Sequence, residues 1–456
     1  MVHKILRYSL WIFLFYFLIS VIIVPIRHKE VSELPAVEGA PGRLLCIDDN
    51  QEALLWRLRV IESAQDEIVM STFDWREDNS GTDMMAALEA AAERGVQIRL
   101  IVDGINGFLQ LRGSGMFQAL TANPNVEAKL YNPVNLLLPF RINYRMHDKY
   151  LVADESVYIL GGRNTNDLFL GNYRDSYNLD RDLLVYEGEN GESGSLGAVR
   201  SYFEKVWSDP VSKPYHHHKS ARKTRQAQEE LRQRYEKLKS DYPVLLEETD
   251  WQGETTAAES IALLVNPAQA ADKEPVVFEQ IFREVKQGQD VLIQTPYIIC
   301  DRRMYRGLRE AADGGTGIGI ITNAVESGAN PWGCTDYLNQ KGKILGTGVS
   351  VYECLAGQSL HTKTVLVDQD VSFIGSYNLD IRSTYLDTEM MLRVESRELN
   401  RAIRADAEQY QEKSKLCTPD GQEKENSGYQ KVRLSLLKKG IYQVLRVVIL
   451  PIRHLL

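Results

Sequence analysis

Hydrophobic and polar positions along this chain fall into two long stretches that repeat one order of elements. In the first, the apolar run at 67–73 (EIVMSTF) predicts a buried strand, the alanine-rich 84–95 (MMAALEAAAERG) a helix, and 96–104 (VQIRLIVDG) a second strand. The second stretch follows the same order with 290–298 (DVLIQTPYI), 304–315 (MYRGLREAADGG) and 318–322 (IGIIT). A further short strand follows in each, at 126–132 (VEAKLYN) and 349–355 (VSVYECL). Strand–helix–strand order with apolar strands predicts an α/β fold of two similar lobes. Each would be a mixed, largely parallel sheet flanked by helices.

Three segments break this pattern. From Tyr8 to Ile26 no residue is charged, and the run LWIFLFYFLISVIIV is almost wholly apolar. At about 1.5 Å per residue a helix of that length just crosses a hydrocarbon core of about 30 Å, which predicts a single-pass N-terminal anchor in the cell membrane. A cleaved signal peptide is the rival reading, but the run ends at Pro25 and a basic cluster where small residues would be expected. Lys4 and Arg7 on one side balance Arg27 and Lys29 on the other, so the charges do not orient it. Between the halves, Lys219 to Lys239 is rich in Arg, Lys, Gln and Glu and reads as an exposed helix ending before Pro243. After Glu425 the chain has no acidic residue, and Leu434, Leu437, Ile441, Leu445 and Val448 fall at helical spacing among Lys431, Arg433, Lys438, Lys439, Arg446 and Arg453. That pattern predicts a basic amphipathic helix suited to an anionic membrane surface, with docking on the protein's own lobes as its alternative. Pro-Ile-Arg-His closes an apolar run twice, at Pro25–His28 and Pro451–His454, and both copies read as interfacial stops. The expected organisation is an anchor at 1–30, lobes at 43–212 and 256–416, a charged helical linker at 213–255 and a basic tail at 417–456.

The whole chain adds bounds. Its 456 residues suffice for two domains of ordinary size. A net charge of −9 counts against a nucleic-acid partner, because binding a phosphate backbone needs a positive field. The five cysteines are scattered and show no C-x-x-C spacing, which suggests free thiols over a disulfide framework or zinc site. The His216–His218 run is given no metal role, since consecutive residues do not readily face one ion.

The chemistry lies in one pattern written twice. His147, Asp148 and Lys149 run on to Asp154, and His361, Thr362 and Lys363 run on to Asp368, each copy an H-x-K followed four residues later by D. Gly161 and Asn164 follow His147 at the offsets at which Gly375 and Asn378 follow His361. One copy arises by chance in roughly a few per cent of chains this long, whereas two in register are a strong signal. Imidazole attacks phosphorus well, and a second imidazole can protonate a departing alcohol and deprotonate an incoming one. Lys149, Lys363, Asn164 and Asn378 suit the non-bridging oxygens of a phosphodiester, where charge builds up in the transition state. No metal or other cofactor is required. Asp154 and Asp368, at strand ends, would brace the motif loops.

A catalytic imidazole also needs an acceptor on its second nitrogen. Glu389 in LDTEMML and Asp182 in DRDLLVY stand at comparable places after the two motifs and are assigned that role. Of the eight histidines, only His147 and His361 fall inside the two lobes and outside a run.

With these runs the chain resembles the phospholipase D superfamily, and more closely the bacterial cardiolipin synthases of the phospholipase D type, over most of 43–416. The likeness is carried by RMHDKYLVAD with ILGGRN, by QTPYII and ITNAVES, and by LHTKTVLVDQDVSFIGSYNLDIRSTYLDTEMML. It implies two lobes with both motifs at their interface, and transfer through a covalent phosphatidyl-histidine. The implied substrates are phosphatidylglycerol and possibly phosphatidylethanolamine. A phospholipase D or phosphodiesterase using water is the competing outcome, with a non-catalytic scaffold less compatible with two intact motifs. ITNAVESGANP and Thr384–Asp387 depart from the family's usual stretches, which puts the exact lipid in question.

Overall fold

The computed structural model of the chain describes every residue except 1, 25–28, 32, 189–193, 217–219, 272 and 329. The first half supplies β1 (Ala40–Ile47), β2 (Glu67–Thr72), β3 (Gln97–Asp103), β4 (Val126–Tyr131), β5 (Tyr150–Ala153), β6 (Val157–Gly161), β7 (Asn178–Leu179), β8 (Asp182–Tyr186) and β9 (Ser212–Pro214). The second supplies β10 (Thr256–Val265), β11 (Asp290–Gln294), β12 (Gly317–Asn323), β13 (Ser350–Cys354), β14 (Ser359–Leu360), β15 (Thr364–Val367), β16 (Val371–Gly375), β17 (Met390–Glu395), β18 (Ser414–Cys417) and β19 (Glu423–Glu425).

Among the described residues seventeen strands form one sheet, and β7 pairs with β14 in a separate ribbon. The sheet turns about its centre, where β1 and β10 pair antiparallel with Arg43 opposite Ala257. Outward from that seam, β8, β6, β5, β2, β3 and β4 on one side answer to β17, β16, β15, β11, β12 and β13 on the other. The repeat seen in the sequence is therefore a repeat of topology, and one sheet runs through both halves. Its direction differs from expectation. Only β2–β3–β4 and β11–β12–β13 are parallel, and the other described pairings of the large sheet are antiparallel. The motif strands return as tight hairpins, β5–β6 and β15–β16, which need no crossover helix. β5 and β6 are buried along their whole length, so an unbroken apolar run gave no sign of strand direction.

Helices follow the same repeat. Asn79–Arg94 links β2 to β3, and Arg302–Asp313 links β11 to β12; each begins at an aspartate, Asp78 or Asp301, whose carboxylate accepts a backbone N–H of the first turn. The charged run between the halves folds as Ala221–Asp241, but it is not a free linker. It buries Ala227, Leu231 and Leu238 against the first half, and Arg232 and Arg234 pair with Glu93 (2.6 Å) and Asp83 (2.5 Å) on the helix Asn79–Arg94.

The membrane anchor is corrected. Val2–Ile22 is helical, yet among the described residues no helix is long and apolar enough to cross a membrane. The helix stops at Ile22, so its charge-free part from Tyr8 spans only about 22 Å at 1.5 Å per residue, against a core of about 30 Å. Its end is tied to the body: the Tyr16 hydroxyl donates to Leu137 O (2.8 Å), Asn143 Nδ2 donates to Val21 O (3.0 Å), and His454 Nε2 lies 2.9 Å from Ile22 O. The single-pass span, and the cell-membrane location inferred from it, fall with this finding. The Pro25–His28 stop lies outside the described residues, as do His217 and His218 of the histidine run.

The basic tail forms the helix Leu436–Val448 and a 3-10 turn at Leu450–Leu455. It docks on the second half through buried Tyr442, an Arg446 Nε bond to Asn339 Oδ1 (2.8 Å) and an Arg453–Asp336 pair (2.6 Å). Leu437, Ile441, Val444 and Val448 stay exposed.

Candidate active site

Both motifs sit where a hairpin begins. His147 and Lys149 immediately precede β5, and His361 and Lys363 immediately precede β15. The motif aspartates lie at the other end, about 13 Å along the strand. Asp154 takes φ 51° and Asp368 φ 49° at the hairpin turns. Asp154 accepts the backbone N–H groups of Gln65, Asp66 and Glu67 (2.9 Å each), and Asp368 those of Gln289 (2.8 Å) and Asp290 (2.9 Å). They tie the motif hairpins to the starts of β2 and β11 and stand away from the imidazoles. The motif glycines are needed for close approach: a Cβ on Gly161 would lie 1.9 Å from Asp182 Oδ1, and one on Gly375 2.2 Å from Met390 O.

The two imidazoles are held crosswise. His147 Nδ1 lies 3.0 Å from Glu389 Oε1 in the second half, and His361 Nδ1 lies 2.6 Å from Asp180 Oδ2 in the first. A ring edge packs on each: Phe73 on His147 at 5.1 Å and Phe169 on His361 at 4.9 Å between centroids. The ammonium groups of Lys149 and Lys363 donate to the carbonyls of His147 and His361, and Lys363 also reaches Asp180 at 3.7 Å. Glu389 therefore meets an imidazole, though that of the other half. Asp182 meets none among the described residues. It is fully buried between Arg57 (2.7 Å) and Arg163 (3.3 Å) and holds the first half together. Its place is taken by Asp180, two residues earlier in the same DRD run. No local signal separated the two; the β7–β14 pairing, which sets Leu179 against Leu360, selects Asp180.

Asn164 and Asn378 follow β6 and β16, whose last residues bond the motif lysines through Gly161 N to Lys149 O (3.2 Å) and Gly375 N to Lys363 O (3.3 Å). Both amides are buried, and the Oδ1 atom of each has no hydrogen-bond partner among the described residues.

Burial sets the electrostatics. It holds His147 well below the ordinary imidazole value, with the Lys149 charge adding to the shift. Burial and Lys363 bring His361 down to about 4. Burial lowers Lys149 to about 7 and also depresses Lys363. The orienting carboxylates part company. Burial raises Glu389 to about 8, whereas in Asp180 the Lys363 and His361 charges outweigh burial and keep the carboxyl well below its usual range. Two neutral imidazoles and two weakened cations facing one cleft await a negative charge, and a bound anion would return the cations to their charged state.

Paired H-x-K hairpins joined across the seam of a duplicated α/β sheet define an enzyme of the phospholipase D superfamily. The chain belongs to the family described as "Cardiolipin synthase, PLD-like domain", whose profile matches residues 58–207 and 281–411, more than half of its length. It is 26% identical over 421 residues to Cardiolipin synthase C of Escherichia coli (strain K12), covering 81% of this chain and 85% of that one. It is 26% identical over 350 residues to the Major cardiolipin synthase ClsA of Bacillus subtilis (strain 168), covering 75% and 64%. Among solved structures, the phosphatidylserine synthase of Haemophilus influenzae Rd KW20 is similar in fold, with a TM-score of 0.60 at 14% identity over 90% of this chain and 95% of that one.

Proposed function

We propose that the chain is a phosphatidyltransferase making cardiolipin from phosphatidylglycerol through a covalent phosphatidyl-histidine. The observation that carries this reading is the crosswise pair of imidazoles, each oriented by a carboxylate of the opposite half beside a buried lysine. His147 Nε2 attacks phosphorus, the bond to the head-group oxygen breaks, and that oxygen takes a proton from His361. The hydroxyl of a second lipid then gives its proton to His361 as its oxygen bonds to phosphorus and the P–N bond breaks. The donor's negative charge offsets Lys149 and Lys363, which lets His361 carry its proton only when substrate is bound. The lysines and the amides of Asn164 and Asn378 take the non-bridging oxygens. Asp180 and Glu389 fix the ring orientations, and Asp154 and Asp368 brace the hairpins. The tail supports contact with a lipid surface, since exposed Leu437, Ile441, Val444 and Val448 stand among Lys438, Lys439 and Arg446.

The test is the product spectrum of the purified full-length protein on mixed phosphatidylglycerol and phosphatidylethanolamine vesicles, read by lipid mass spectrometry. Cardiolipin that disappears in His147→Ala and in His361→Ala, with both variants folded, is the expected result. Phosphatidic acid alone would make water the acceptor and the protein a hydrolase. Near-normal turnover in either variant would end the two-histidine mechanism.

A further inference from the structure

Away from the imidazoles a second cavity, of about 640 Å³, opens where the tail turn Leu450–Leu455 meets the first turn of the helix Arg302–Asp313. None of the motif histidines or lysines lines it. Its volume lies within the roughly 300–1,000 Å³ of small-molecule sites. Arg302, Arg303, Arg306, Lys343 and Arg453 face it, and among the described residues only Asp301 and Glu30 oppose them with carboxylates.

Much of this positive charge has no counter-charge within the protein. Arg303 pairs with Glu279 (2.8 Å) and Arg453 with Asp336 (2.6 Å). Asp301 is engaged elsewhere, since it caps its helix through Met304 N (2.9 Å) and accepts from the Tyr385 hydroxyl (2.9 Å). Arg302, Arg306 and Lys343 make no ion pair among the described residues, and Lys343 lies over the Tyr305 ring at 4.5 Å. Arg302 and Arg306 stand one turn apart at the positive end of a helix, where they repel each other and the dipole disfavours both. An anion between them removes both costs. A guanidinium fork matches paired phosphate oxygens, and Ile381 and Leu450 give the cavity an apolar edge.

The tail turn that lines this cavity also touches the segment that holds His147. Leu455 O accepts from Arg382 Nη1 (2.9 Å) and Leu456 O from Arg382 N (2.9 Å). Arg382 pairs in turn with Asp387 (3.1 Å), and the hydroxyl of the next residue, Thr388, accepts His147 N (3.1 Å).

We infer that this cavity is a second anion site, separate from the catalytic cleft, which takes a phosphate-bearing group: the head group of an anionic phospholipid or free phosphate. The bound group draws Arg302, Arg306 and Lys343 together with Arg453 of the tail, and so fixes the tail turn on the second half. Through Arg382 it also steadies the segment 387–389 at His147. The site does not depend on the reaction proposed above.

The experiment titrates the full-length protein at fixed ionic strength with dihexanoyl-phosphatidylglycerol below its micelle concentration, and separately with inorganic phosphate. Calorimetry reads affinity, and hydrogen–deuterium exchange locates the bound group. Backbone amides of 450–456 and 381–389 should exchange more slowly when the site fills. Arg302→Gln/Arg306→Gln should abolish that protection and weaken binding at this site by about tenfold or more. Both arginines are exposed, so the double variant should keep the melting temperature of the parent. Lipid binding about tenfold tighter than phosphate binding makes a lipid head group the occupant, and equal binding makes it free phosphate. Unchanged affinity and tail protection in the double variant overturn the site, as does protection confined to the motif strands. Protection of 450–456 that leaves 381–389 unchanged overturns the link to His147.

Discussion

Two aspartates two residues apart, Asp180 and Asp182, show how much a single position decides in this site. Asp180 meets an imidazole and Asp182 meets two guanidinium groups. Asp180→Asn should lower kcat on the order of 100-fold and shift its pH profile, because it weakens the acceptor that fixes the ring of His361, with stability little changed. Asp182→Asn should do the opposite, costing about 3 kcal/mol by leaving Arg57 and Arg163 short of their buried counter-charge; kinetics and chemical denaturation on the same two variants separate these outcomes. His361 also gives stability a pH signature. Its folded value of about 4 lies below the ordinary value of 6.5, so the unfolded chain binds more protons between pH 6.5 and 4, and stability falls as pH falls through that window. Glu389, raised to about 8, binds its proton in the folded state and opposes this trend, so the comparison must be internal. Denaturation midpoints of His361→Gln against the parent should show a shallower loss between pH 6.5 and 4.

At the scale of elements, apolar periodicity located segments well and told little about what they pack against. Both strand–helix–strand units, the charged helix and the tail helix form close to where the pattern put them, whereas the motif hairpins were not foreseen. The charged helix nonetheless buries Leu231 completely, because a few apolar positions in a polar sequence are enough to seat one face. The tail helix turns Tyr442 inward, and its expected apolar stripe stays in solvent apart from Leu434 and Leu445, which pack on the second half's core. Changing Leu437, Ile441 and Val444 together to Ser should leave the melting temperature within a few degrees, since these side chains are exposed, and should weaken sedimentation with anionic vesicles severalfold. The residual binding should weaken further in 0.5 M salt as the lysine and arginine contribution is screened. Binding indifferent to both changes would remove the tail from any lipid contact.

For the whole molecule, the sheet is continuous through β1–β10, yet the catalytic geometry depends on side chains that cross from half to half. Arg181 is the largest of these ties. Its guanidinium is almost fully buried and bonds Asp48 (2.7 Å) of its own half together with Gln294 (2.8 Å), Thr364 (3.2 Å) and Asp406 (2.8 Å) of the other. Arg181→Ala should cost about 3–5 kcal/mol, as the loss of one partner from a buried ionic network does. It should also lower kcat without moving the pKa values of the rate profile, since it loosens the spacing of the imidazoles and leaves their own partners in place.

The sequence by itself determined the duplication, the α/β class and the matched positions of the two H-x-K motifs. These are properties of local order: strand runs, helix composition and a motif written twice at matched offsets. Strand direction could not be read locally, because strands buried on both faces are apolar whichever way they run. Asp180 over Asp182, the crosswise pairing of carboxylates with imidazoles and the end of the first helix at Ile22 were decided only by tertiary structure. Each depends on which residues, far apart in sequence, the sheet and the β7–β14 ribbon bring within hydrogen-bonding distance, and no periodicity within one half records the position of the other.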